Sequence, residues 1–325
     1  MNTAQTQRKS WISTARVIGI LLVVLGHSYP FDVSIPTMLN QLRDFIYTFH
    51  MPLFIIISGY LSVLSNRRPA EYIAVRAKKL LIPYFVLSLA AFIPKMLVQQ
   101  YLNDSVEFSL VWLIRSELVP RENIWGHFWF IPMIFFFGVF FAFFVKQLKQ
   151  HKWVLLLALA ASYMLRWLPK TTAWLALEDI RQNLFFYILG IAIALYGDSD
   201  EIVKNKLWLL GLPIALALFF LTGEQTTFGA VLMVGFVFCV GTMMDFRRNL
   251  FCQQIERYSF TIFLLSWPAQ AVMEVLLNKM LHLPACVTML CMFIAGIAVP
   301  LICGKAVEWM GRWIPVRALK TSLGM

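Results

Sequence analysis

Long apolar segments separated by short polar ones recur along almost the whole chain. A helix that is apolar around its whole circumference must be buried, either in protein or in lipid. A bilayer core of roughly 30 Å needs about 20 such residues per helix. The pattern predicts ten spanning helices, at about residues 11–29, 45–64, 80–98, 125–145, 152–168, 181–197, 206–222, 228–244, 258–277 and 284–305.

The composition supports a membrane chain. Of the 325 residues, 60% are hydrophobic and 14% are charged, whereas ordinary globular chains are about half apolar and a quarter charged. Ten spans leave room only for short loops. We therefore predict an all-α integral membrane protein, in which residues 1–325 form a single polytopic bundle of about ten transmembrane helices.

The formal net charge of +11 has a topological explanation. The Lys and Arg residues are scattered over many loops and form no stripe, so we expect no nucleic-acid partner. Most of them fall in alternate loops, on the side that carries the N-terminus, and cytoplasmic loops are enriched in such residues. This bias predicts that both termini are cytoplasmic.

The first predicted span carries two residues that are unusual in a membrane. Arg16 lies about one and a half turns into it, and His27 follows eleven residues later. Eleven steps place both side chains on one helical face, roughly 16 Å apart along the axis. A charge at this depth is costly unless it is paired or hydrated. Arg16 either serves a function or extends to the cytoplasmic headgroups.

Two further histidines are predicted at the membrane level of His27. His50 lies near the outer end of the second span, and His127 lies near that of the fourth, two residues before Trp129. Metal binding is not expected, because no carboxylate accompanies the three histidines at ligand spacing. The five cysteines also lack zinc or redox spacing. A polar cavity in which one histidine is a general base fits better.

A basic cluster precedes the third span. Arg76 and Lys79 are neighbours at helical spacing. They either orient the chain by the positive-inside rule or bind an anionic phosphate group that arrives from the cytoplasm.

Several motifs occur in order along the chain. They are Arg16-x10-His27, Phe49-His-Met-Pro-Leu-Phe with Ser58-Gly59-Tyr60, the basic run into Leu81-Ile-Pro-Tyr84, His127-Phe-Trp-Phe-Ile-Pro132, Phe185-Phe-Tyr-Ile-Leu-Gly190 and Tyr258-Ser-Phe-Thr-Ile-Phe-Leu-Leu265. Together they resemble the membrane acyltransferase-3 family, whose bacterial members move acyl groups, usually acetyl, onto sugars of surface polysaccharides. The resemblance extends from residue 11 to about residue 270.

The resemblance implies an acyl-CoA-dependent O-acetyltransferase of the bacterial inner membrane. Acetyl-CoA would bind with its phosphates at Arg76 and Lys79 and its pantetheine arm past Arg16. His27 would act as general base on a hydroxyl of a cell-surface or lipid-linked sugar. The acyl group would pass to the sugar either directly or through an acyl-histidine intermediate, and the sequence does not choose between the two.

The remaining site residues are expected to line the substrate cavity. They are His50, His127, Trp129 and Ser266. Many relatives carry a histidine where this chain has Ser266, so that histidine's role does not carry over.

Two other functions compete with this interpretation. The first is a transporter or flippase for a polar or glycolipid substrate, because intramembrane Arg and His suit such a pathway as well. The second is an assembly subunit without chemistry, for which His27→Ala would be silent.

Overall fold

All regular structure in the described part of the chain is helical. The computed structural model describes residues 10–31, 33–98, 109–197 and 199–325, and no strand occurs among them. The α-helices of this part are α1 (Ser10–Gly26), α2 (Thr37–Val63), α3 (Pro69–Val98), α4 (Leu110–Leu118), α5 (Phe130–Gln150), α6 (Lys152–Leu165), α7 (Leu177–Tyr196), α8 (Ser199–Lys204), α9 (Gly211–Thr222), α10 (Thr227–Met243), α11 (Leu250–Arg257), α12 (Ser259–Glu274), α13 (Ala285–Met310) and α14 (Arg317–Ser322).

Five helices in the described residues are long and apolar enough to cross a membrane. They cover Thr37–Val63, Pro69–Met96, Gly126–Val145, Ser259–Met280 and Ala285–Met310. Shorter apolar helices occupy Ser10–Gly26, Lys152–Leu165, Lys206–Thr222 and Thr227–Met243. The all-helical class is confirmed for the described residues, and their long apolar helices are those of a membrane protein by length and composition. The count of ten spans, the cytoplasmic termini and the single domain stay predictions.

Two helices begin earlier than the apolar pattern predicts. The second span was expected from about residue 45, but α2 begins at Thr37; the third was expected from about residue 80, but α3 begins at Pro69. Proline suits the first position of a helix, and Glu71 in the first turn of α3 is favourable for the helix dipole. These polar extensions have helical propensity without apolar periodicity, so Arg76 and Lys79 lie within α3 rather than in a loop.

The chain divides into two compact units. The first comprises Met1–Phe54, Gly197–Gln270 and Ala285–Leu301, and it contains Arg16, His27, His50 and Ser266. The second comprises Ile55–Tyr196, Ala271–Pro284 and Ile302–Met325, and it contains Arg76, Lys79, His127 and Trp129.

Within the second unit, glycines allow α2 and α7 to pack with their backbones in contact. A Cβ atom on Gly59 would overlap the carbonyl oxygen of Tyr187, and one on Gly190 would overlap that of Ile56. Small residues permit such close approach of helices in membranes. Two motifs that are far apart in the sequence are therefore packing partners.

The five cysteines are all free thiols. Cys239 is buried and Cys286 is exposed near the start of α13, whereas Cys252 in α11, Cys291 and Cys303 are partly buried.

Candidate functional site

The candidate site in the first unit is built on the end of α1. The helix ends at Gly26, but the backbone N–H of His27 still donates to the Val23 carbonyl at 3.2 Å. Helical spacing therefore extends to His27, so Arg16 and His27 share a face. Arg16 is partly buried in this arrangement.

Aromatic side chains surround the imidazole of His27. Its Nδ1 lies 3.3 Å from the hydroxyl of Tyr47. The centroid of its ring lies 4.8 Å from that of Trp267 and 5.7 Å from that of Tyr47. Contacts with α2 and α12 thus define the orientation of the ring.

His50 lies next to this cluster. Its ring centroid is 5.0 Å from that of Tyr47, and its Nδ1 is 2.9 Å from the carbonyl oxygen of Ile46. A carbonyl only accepts, so Nδ1 of His50 carries a proton and the lone pair of the neutral ring lies on Nε2. The structure therefore places His27 and His50 beside the same tyrosine. Within the described residues, no group of three His, Cys, Asp or Glu could hold a metal ion.

A buried glutamine side chain forms hydrogen bonds with residues on both sides of His27. Nε2 of Gln270, on α12, donates to the Val24 carbonyl at 2.8 Å and to Oγ of Ser28 at 2.9 Å. Ser28 also donates to the Val24 carbonyl, at 2.6 Å. A Cβ on Gly296 would lie 2.9 Å from Nε2 of Gln270, so α13 supports the amide as well. Ser266 is buried one turn before Gln270 on the same helix.

In the second unit, the guanidinium of Arg76 is held by uncharged groups. Nη1 donates to the hydroxyl of Tyr72 and Nη2 to the carbonyl of Ile134, both at 3.0 Å. No carboxylate of the described residues forms an ion pair with it. Gly138 provides the space for the Arg76 side chain, and Lys79 is exposed about one turn further along α3. This arrangement suits an anionic ligand.

His127 and Trp129 lie in a 3₁₀ turn, Gly126–Trp129, directly before α5. His127 is buried and packs edge-on against Phe128. The guanidinium carbon of Arg121 lies 4.0 Å from the ring centroid of Trp129, and Nη2 of Arg121 pairs at 2.6 Å with the buried carboxylate of Asp179. The predicted grouping of His127 with His27 and His50 stays a prediction.

The same unit contains a buried carboxyl group that sequence reasoning missed. Both carboxyl oxygens of Glu117 are buried without a hydrogen-bond partner among the described residues. Its backbone carbonyl accepts from the hydroxyl of Tyr84 at 2.8 Å. Burial raises the pKa of Glu117 to about 8, so the carboxyl group is mainly protonated at neutral pH.

Sequence reasoning also missed Tyr47, Trp267 and Gln270. Tyr47 lies one helical turn before His50, and Trp267 follows Ser266 directly. Both residues therefore lie close in the sequence to predicted site residues, and this proximity could have identified them as candidates. That the two aromatic residues converge on His27 depends on the packing of α2 and α12 against α1, which is a tertiary property.

Taken together, the fold and the site define an all-helical membrane protein with a histidine-centred candidate site. The chain belongs to the acyltransferase-3 family: the family model, described as an acyltransferase domain, matches residues 9–305. Membership indicates a transferase. No curated protein and no solved structure matches the chain.

Proposed function

We propose that the protein is an O-acyltransferase of the bacterial inner membrane, which moves an acetyl group from acetyl-CoA to a hydroxyl of a cell-surface or lipid-linked sugar. The observation that carries the proposal is the environment of His27. Its imidazole is oriented by Tyr47 and Trp267 and shares a helical face with Arg16, within the part of the chain that the acyltransferase family matches.

In the proposed step, the neutral imidazole of His27 is the general base. It accepts the proton of the sugar hydroxyl while the hydroxyl oxygen attacks the thioester carbonyl carbon. The new C–O bond forms and the C–S bond breaks. The sulfur leaves as the CoA thiolate and takes up the proton from the imidazolium, which restores the neutral base. The products are the acetyl ester and CoA, and no oxidant or reductant takes part.

We assign the binding of the acyl donor, acetyl-CoA, to the cationic residues. Arg76 and Lys79 would bind phosphate groups of acetyl-CoA, and Arg16 would bind its polar pantetheine arm. The contacts of Arg76 favour this role, because its guanidinium is fixed by a phenol and a carbonyl and not by a carboxylate of the described residues.

We assign the binding of the acceptor sugar to the residues that are predicted to line the cavity. His50 and His127 would offer ring nitrogens to sugar hydroxyls, Ser266 a hydroxyl and Trp129 an aromatic face. A few placed polar groups among apolar ones are typical of small-molecule sites.

The first test is transfer of radiolabelled acetyl from acetyl-CoA to envelope glycan in membranes that contain the protein. We expect label with the wild type and loss of label with His27→Ala. His151→Ala is the matched control, because it removes a histidine that is exposed at the end of α5. Label that persists in an equally abundant His27→Ala variant contradicts the proposed base. Absence of label with the wild type and a broad glycan pool contradicts acyl transfer and favours transport.

A second test addresses the donor site. Arg76→Ala is expected to raise the KM for acetyl-CoA, whereas Lys78→Ala, which removes an exposed lysine from the same helix, leaves it unchanged. Equal KM values for the two variants would argue against phosphate binding at Arg76.

A further inference from the structure

We propose that Tyr47 is a positioning residue that holds His27 in one tautomer, with the proton on Nδ1 and the lone pair on Nε2. The inference rests on the proposed function for its catalytic meaning, but the tautomer itself can be observed without any reaction. It assigns a role to a residue that lies outside the motifs of the sequence analysis.

The hydrogen bonds of the Tyr47 hydroxyl determine where the protons lie. A phenol has a single proton to donate, and two groups approach its oxygen. The carbonyl oxygen of Gly26 lies 2.9 Å away, and Nδ1 of His27 lies 3.3 Å away. A carbonyl can only accept, so the phenol proton goes to Gly26. The phenol oxygen is then an acceptor, and Nδ1 of His27 must donate to it.

The backbone at the end of α1 is adapted to this contact. A Cβ atom on Gly26 would lie 2.7 Å from Cε1 of Tyr47, which is too close for a real contact. Glycine at this position therefore lets the ring approach the last carbonyl of the helix. The same hydroxyl satisfies a helix-terminal carbonyl and orients the imidazole that follows it.

This arrangement prepares the ring for general-base catalysis. With Nδ1 protonated, the neutral ring can accept the hydroxyl proton only at Nε2. The packing of Trp267 on the ring limits its rotation. The neighbouring His50 also has Nδ1 bound to a carbonyl, so both rings carry their lone pair on Nε2. Without the phenol oxygen, the Nδ1–H tautomer of His27 loses its stabilising acceptor.

The test compares Tyr47→Phe with Tyr29→Phe. The control removes a phenol of the same unit whose hydroxyl donates to the carbonyl of Leu39 at 2.9 Å. The tautomer of His27 is read by nitrogen-15 NMR of histidine-labelled protein at about pH 8, where the ring is neutral; His27→Ala assigns the signal. Acetyl transfer is measured in parallel, with kcat and KM determined separately.

We expect the wild type and Tyr29→Phe to show the Nδ1–H form. Tyr47→Phe should show a substantial Nε2–H population and a kcat lowered about tenfold or more, which corresponds to about 1.4 kcal/mol in the barrier. Its KM for acetyl-CoA should stay within about twofold, because the contact acts on the chemical step.

Two results would overturn the proposal. One is an Nε2–H ring in the wild type, which can be seen even if Tyr47→Phe does not fold. The other is an unchanged His27 tautomer in folded Tyr47→Phe, whatever happens to the rate. A tautomer change in a protein that transfers no acetyl group would support the role of Tyr47 and contradict the proposed function, so the two failures are distinguishable.

Discussion

Replacing Gly138 by alanine should displace the guanidinium of Arg76 while leaving the arginine side chain itself unchanged. The added Cβ would lie 2.5 Å from Nε of Arg76 and 2.9 Å from its Cδ. Ordinary contact distances are about 3.5 Å or more, so the side chain must move by about 1 Å. The hydrogen bond from Nη2 to the Ile134 carbonyl measures 3.0 Å, and such a movement stretches it beyond the limit of a hydrogen bond.

The expected size of the effect follows from the lost hydrogen bond. A hydrogen bond to a charged group contributes about 1.5–3 kcal/mol, and 1.4 kcal/mol corresponds to a factor of about ten in affinity. If Arg76 binds a phosphate of acetyl-CoA, Gly138→Ala should raise the KM for acetyl-CoA about tenfold. The value of kcat should change little, because the substitution leaves His27 and its ring contacts intact.

The assay is acetyl transfer over a range of acetyl-CoA concentrations. Gly126→Ala is the matched control, because a Cβ at Gly126 would meet nothing within 4 Å. A KM of Gly138→Ala within twofold of the wild-type value would refute the reasoning, provided that both variants are equally abundant in the membrane.

Three other substitutions test the second unit. Gly59→Ala should lower the free energy of unfolding by about 1–3 kcal/mol, because the new methyl group meets the backbone of Tyr187; an unchanged melting temperature in detergent would contradict this. Glu117→Gln should raise the free energy of unfolding above that of the wild type by more at pH 8 than at pH 5. The raised pKa of Glu117 makes the wild type lose stability as pH rises from about 4.3 to about 8, because the unfolded chain gives up its proton first. Parallel stability curves of the two proteins over this range would refute the assignment. Arg121→Ala should cost about 1–3 kcal/mol and more than Asp179→Asn, because the former leaves a buried carboxylate without its partner and the latter leaves an exposed guanidinium; equal, small losses of unfolding free energy for the two variants in chemical unfolding would mean that the pair matters only as a surface contact.

The positions of the helices were predictable because lipid imposes a simple requirement. A span must be apolar along its length, and this can be read from the sequence without knowledge of any neighbour. The helix starts were not predictable in the same way. Thr37 and Pro69 begin polar extensions of α2 and α3, and helices outside a bilayer core have no need of an apolar circumference.

The candidate site was predictable only in part. Arg16 and His27 stand out because ionisable residues are costly in a span. Tyr47 does not stand out, because an aromatic residue near a span end is ordinary. Its importance lies in the distance from its hydroxyl to the end of another helix, and in the absence of a Cβ at Gly26 that permits this distance. Such a relation between two helices has no signature in either segment alone.

The free cysteines allow the orientation of the native chain in the membrane to be determined by chemical labelling. Cys286 is exposed near the start of α13, on what the charge bias predicts to be the outer surface, and Cys252 lies in α11 on the predicted inner one. A membrane-impermeant maleimide added to intact spheroplasts should therefore modify Cys286 and spare Cys252, and inverted vesicles should give the opposite pattern. Peptide mapping of the labelled native chain would establish its orientation without any engineered tag.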